Sequence, residues 1–236
     1  MTGTILNIVT VLIGGLLGLL FGARLPERIC HTVVAGLGLF TAAIGIQMFL
    51  TTENAIIVLG SLLVGGILGE WWRIEWRLQQ MGAWLEKRFA GGDGEVSASN
   101  RFIRGFLTAS LVFCVGPMTI LGSIQDGLTG DYNLLAIKSV LDGFAALAFA
   151  SMLGVGVLFS TLVILVYQGG LSLLAFQAQA LISEAMMNEM TAVGGILLIG
   201  LAISSLLEIK QIRVGNFLPA LVIAPLIVAI LIWLGI

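Results

Sequence analysis

The stretch Gly3–Gly22, 'GTILNIVTVLIGGLLGLLFG', carries no charged side chain, and its reading decides the class of fold. A helix of about 20 apolar residues crosses the hydrocarbon of a bilayer, so this segment is long enough to span one. Arg24 and Arg28 follow it and no basic residue precedes it. A cleaved secretory signal has the opposite charge order, so the segment is expected to stay as a first span with its N-terminus outside.

Runs of the same kind recur at Thr32–Leu50, Ala55–Trp72, Phe102–Ile124, Asn133–Leu153, Gly154–Phe176, Met190–Leu207 and Val214–Ile236. The expected fold is therefore an all-α polytopic membrane protein of about eight transmembrane helices. Composition agrees, since 58% of the 236 residues are hydrophobic, 10% are charged and the mean hydropathy is +1.09. A soluble domain is roughly 25% charged, and this chain has too few charges to cover a surface of its size with water-facing groups. Membrane lipid is thus an expected partner. A net charge of −2 offers no basic surface to nucleic acid. Cys30 and Cys114 make neither a CxxC pair nor a disulfide framework. No motif calls for a cofactor or a metal.

Each helix crosses once, so placing the first connection in the cytoplasm sets the side of all the others. Arg24, Arg28, Arg73, Arg77, Lys87, Arg88, Arg101, Arg104, Lys210 and Arg213 then fall inside. Glu53, Asp126, Asp131, Glu184 and Glu189 fall outside, without a lysine or arginine among them. This segregation predicts that both termini lie outside. The weakest division is 'SMLGVG' at 151–156, which must turn without a basic residue or else form a broken or re-entrant segment.

From Arg73 to Phe89, apolar residues at spacings of three and four, with Trp71, Trp72, Trp76 and Trp84, predict a helix lying on the inner interface. The Gly- and Ser-rich segment 91–101 reads as a cytoplasmic linker. It separates a part with three spans and the interfacial helix, 1–90, from a five-span part, 102–236. A faint likeness joins 'LIGGLLGLLFGARLPERI' to 'GGILLIGLAISSLLEIKQIRVGNFLPAL', at a level that Gly-rich apolar sequences also reach by chance. Gly14, Gly18 and Gly22 form one small-residue stripe, and Ser61, Gly65 and Gly69 another. Such stripes serve close helix packing within a chain or, as the second reading, a dimer seam. His31 has no second histidine near it and reads as an interface residue.

Polar residues gather between Arg104 and Gly143. Gly116 and Pro117 fall inside the fourth span, and Pro117 cannot donate to the carbonyl of Phe113, so this helix is expected to kink or break. Carbonyls freed there, with Cys114, Thr108, Ser110, Thr119 and Ser123, would line a polar cavity as discontinuous helices do in transporters, unless a neighbouring helix satisfies them. Lys138 and Asp142 stand one turn apart on the fifth span. At 1.5 Å per residue Asp142 lies about 13 Å below Asn133, near the bilayer midplane. A carboxylate there marks either a functional site or half of a self-neutralising structural pair. Asp126 and Asp131 are expected at the outer mouth, where they would enrich cations.

The segments 'GTILN', 'GSLLVGGILGE', 'FCVGPMTILGSIQDGLTGD', 'KSVLDG', 'YQGGL' and 'GNFLPAL' resemble the YqgA/YdfK family of bacterial integral membrane proteins, domain of unknown function 554. The resemblance covers nearly the whole chain and implies a bacterial inner-membrane protein with a transport role. It supplies no substrate or catalytic residue.

The reading that follows is a transporter, not an enzyme, working as a homodimer on a cation or small polar solute. Its substrate-binding residues are expected to be Asp142, Lys138, Asp126, Cys114, Gly116, Pro117 and Ser123. The same residues would serve an ion channel. A third reading is a membrane scaffold or chaperone that docks partners on the interfacial helix.

Overall fold

The computed structural model describes residues 1–22, 27–89, 96–114, 116–177 and 182–234. Arg24 and residues 91–95 of the expected linker lie outside the described residues, as do the side chains of Cys30, His31, Lys87 and Arg88. Among the described residues every regular element is helical. In chain order these are α1 Thr2–Gly22, α2 Glu27–Phe49, α3 Ala55–Trp72, α4 Ile74–Phe89, α5 Val96–Cys114, α6 Pro117–Thr129, α7 Asn133–Leu153 and α8 Gly156–Leu173. Then come α9 Glu184–Leu201 with a π-helical turn Ala202–Leu206, a 3-10 turn Val214–Phe217, and α10 Ala220–Leu234.

The eight apolar runs map onto this order. Six helical segments are long and apolar enough to cross a membrane, and the pair α5/α6, bent by 61°, makes a seventh as a broken span. The apolar part of α2, Ala35–Phe49, is shorter. Large apolar side chains such as Leu20, Ile56, Ile67 and Val166 point outward, 68 to 77% exposed, which suits hydrocarbon and not water as solvent. Residues 96–101, expected at the end of the linker, form the first turns of α5.

The chain divides into two compact units, Met1–Val34 with Gln79–Ala180, and Ala35–Leu78 with Leu181–Ile236. In the first, α1 lies along α7 with the small-residue stripe at the contact. A Cβ on Gly14 would stand 2.0 Å from the carbonyl oxygen of Gly143, one on Gly18 2.2 Å from that of Leu147, and one on Gly22 2.4 Å from that of Ser151. The stripe thus packs inside the chain, and the matching steps of four make the two helices parallel. The turn 'SMLGVG' joins α7 to α8 through Gly154, whose φ of 81° is a backbone state that glycine adopts without steric cost. Arg101 Nε donates to the Met152 carbonyl at 2.9 Å, so the C-terminal end of α7 receives its cation from α5.

In the second unit the other stripe packs antiparallel on the last span. A Cβ on Gly65 would meet Ala220 at 2.5 Å, and one on Gly69 the Asn216 carbonyl at 1.8 Å. Gly45 and Gly195 hold α2 and α9 together in the same way. Glu189 of α9 is buried and accepts from Thr52 Oγ1 at 2.7 Å, Glu53 N at 3.0 Å and Asn54 N at 3.1 Å, which closes the turn into α3. Expected in the outer connection before Met190, it lies instead inside α9 and closes the turn between α2 and α3.

Candidate functional site

The first unit holds a buried polar chain that crosses three helices. Asp142 of α7 is 7% exposed and Lys138, one turn earlier, 5%, and the ammonium pairs with Asp142 Oδ2. The spacing of four puts both on one face, as the sequence predicts. Asn7 of α1 brings its amide to the same oxygen, donating from Nδ2 at 3.0 Å, and donates again to Gln168 Oε1 of α8 at 3.0 Å. Gln168 Nε2 in turn donates to Thr4 Oγ1 of α1 at 3.3 Å. Thr4, Asn7 and Gln168 are fully buried. Among the described residues Asn7 Oδ1 has no hydrogen-bond partner.

The broken span borders this chain. Gly116 is the cap residue of α6, with extended backbone at φ −70°, ψ 147°, and Pro117 is its first helical residue, where the missing N–H costs no bond. The Phe113 carbonyl, which loses its donor at Pro117, accepts from Thr119 Oγ1 at 3.0 Å across the break. The structure therefore corrects the expectation that this carbonyl is free to bind a solute. Ser123 donates to the Thr119 carbonyl of its own helix. Thr108 Oγ1 and Ser110 Oγ of α5 are buried hydroxyls without a partner among the described residues. The Cys114 thiol, at the end of α5, is buried within electrostatic reach of Lys138 and Asp142.

Asp126 lies at the end of the first unit where α1 starts, in a helix and not in a loop. It lies inside α6 and is buried, its Oδ2 taken by the Gly3 backbone N–H at 3.1 Å and by the Met1 amino group at 2.9 Å. A carboxylate at a helix N-terminus satisfies orphan donors and the helix dipole, so Asp126 anchors the start of α1 through Oδ2, while its Oδ1 is buried with no hydrogen bond among the described residues. Asp131 stays near a turn, where its side chain accepts from Asn133 N at 3.0 Å.

Asn7, Gln168 and Thr4 were not among the sequence candidates. Their signal was present, since Asn7 and Gln168 are carboxamides inside otherwise apolar spans, and such groups seek partners in a bilayer.

The chain from residue 2 to 229 matches the model of a family described as a protein of unknown function, DUF554. It is 32% identical over 235 residues to the uncharacterized membrane protein YdfK of Bacillus subtilis, covering 98% of this chain and 97% of that one. It is 33% identical over 222 residues to the uncharacterized protein YqgA of Escherichia coli, covering 94% of each. No solved structure matches.

Proposed function

This chain belongs to the DUF554 family, and we propose that it is a transporter of a cation or small polar solute whose binding site is the Asp142, Lys138, Asn7 and Gln168 chain. Apolar helices of spanning length and a relative named as a membrane protein carry the coarser statement that it is a membrane protein. One observation supports the finer one: the charged pair on α7 extends through carboxamides of α1 and α8 and leaves Asn7 Oδ1 buried without a partner. Bonds between helices would serve packing as well, so the reading rests on the acceptor that they leave unmatched. A buried network with an unmatched acceptor is costly in hydrocarbon, and function is the usual reason for keeping one. The bent α5/α6 span lies in the same unit, with Thr108 and Ser110 on one arm.

The site would work in the inner membrane of a bacterium, without covalent chemistry, in a homo-oligomer. The two glycine stripes are engaged within each unit, so that assembly needs another surface.

Uptake into proteoliposomes from a panel of cations, amines, amino acids and nucleosides tests the proposal. Asp142→Asn should assemble normally and lose uptake. The double replacement Lys138→Met/Asp142→Leu removes the charges together, and uptake that persists in it would overturn the site, because the pair would then be structural.

A further inference from the structure

We propose that the solute bound in this site is a primary amine whose ammonium replaces that of Lys138 on the Asp142 carboxylate. The inference rests on the transport reading and narrows its substrate class. It starts from an inventory of donors and acceptors. An ionised carboxylate only accepts, so the Asn7 side chain must turn its NH2 toward Asp142. The same nitrogen also serves Gln168 Oε1, and both amide hydrogens are then engaged. Gln168 hands its own donor on to Thr4. The directions of these bonds are thus imposed from Asp142 outward, and the group left over is an acceptor, Asn7 Oδ1, on a residue with 0% exposure. What complements a carboxylate beside a leftover amide oxygen is a cation that carries N–H donors.

The chain already shows that a primary ammonium fits on the carboxylate, while leaving the Asn7 oxygen unmet. Lys138 is a primary ammonium on a tether from the same helix, seated on Asp142 Oδ2. A carboxylate buried in a bilayer cannot be left without a counter-charge, because a stranded charge costs several kcal/mol. A free ammonium that arrives as the tethered one leaves keeps the carboxylate compensated throughout. On the carboxylate the exchange is one for one in charge and in donor type, and the displaced Lys138 ammonium, which would be stranded in its turn, must extend to the aqueous end of α7 that starts at Asn133. A quaternary ammonium carries the charge without donors, and a sodium ion carries it without directed N–H bonds. Lys138 would then act as the tethered competitor that closes the site between turnovers.

The experiment uses the full chain in detergent and reads thermal stability against methylammonium, tetramethylammonium and sodium chlorides at equal ionic strength. Methylammonium should stabilise the wild type in a concentration-dependent way, while the other two leave it unchanged. Lys138→Met removes the competitor, and half of the effect should then appear at about a tenth of the concentration or less. Asp142→Asn should abolish it. Should Lys138→Met fold poorly, its yield when purified in methylammonium against tetramethylammonium makes the same comparison.

Equal stabilisation by all three salts, stabilisation that survives Asp142→Asn, or no stabilisation by methylammonium overturns the amine assignment. A different solute that stabilises the wild type but not Asp142→Asn would overturn the amine and leave the transport reading standing. Methylammonium bound at Asp142 without uptake of any solute would do the reverse.

Discussion

At the residue scale, what a polar side chain does in this protein depends on which donor reaches it first. Thr119 is the clearest case. The proline that starts α6 strips Phe113 of its helical donor, and the buried Thr119 hydroxyl replaces it from six residues further on. Thr119→Val keeps the shape and removes the donor, so the Phe113 carbonyl is left unsatisfied. The expected cost is about 1–3 kcal/mol, read as a lower unfolding midpoint, and Thr119→Ser should recover most of it. If Thr119→Val is as stable as the wild type, the hydroxyl does not hold the break. Asp142 and Asp126 make the same contrast. Both were legible as unusual carboxylates, but Asp142 is met by side chains of two helices, whereas Asp126 is absorbed by the start of α1.

At the scale of elements, the helices meet where small residues let backbones approach. The contact of α1 with α7 brings Asn7 to Asp142, so the glycine stripe positions the site as well as the helices. Gly14→Ala would set a methyl group 2.0 Å from the Gly143 carbonyl oxygen, and backbone cannot move aside as a flexible side chain can. It should destabilise by roughly 1–3 kcal/mol and weaken any ligand effect that depends on Asn7. Gly60→Ala in α3, where the added carbon meets nothing within 4 Å, is the control and should be neutral or slightly stabilising. Denaturation of both variants in one detergent checks this, and equal loss in the two would remove the stripe's special role.

At the scale of the whole molecule, the directions of the helices within each unit agree with alternate crossing. In the first unit α1 and α7 run parallel, and Gln168 near the end of α8 reaches Thr4 near the start of α1. In the second, α3 and the last span are antiparallel, as are α2 and α9. Charge segregation predicts the absolute orientation, with both termini outside. In a chain with both cysteines replaced by alanine, a membrane-impermeant thiol reagent should label Asp131→Cys from outside the cell and spare Lys210→Cys. The reverse pattern would invert the topology while leaving the contacts within each unit intact.

The helical class, the bounds of two spans, the break at Pro117 and the pairing of Lys138 with Asp142 could be read from the chain in one dimension. Each depends on local rules: the length of an apolar run, the missing N–H of proline, the four-residue step of a helix. The spans Ala55–Trp72 and Asn133–Leu153 were legible to the residue for that reason. The partners of Asp142 were not. Asn7 lies 135 residues from Asp142 and 161 from Gln168, and nothing local links them. The same holds for Arg101 on the end of α7 and for Glu189 on the turn before α3. Tertiary packing decided these contacts, because in an apolar solvent a helix finds its neighbours by close fit and by unmet hydrogen bonds, and both are properties of two surfaces brought together.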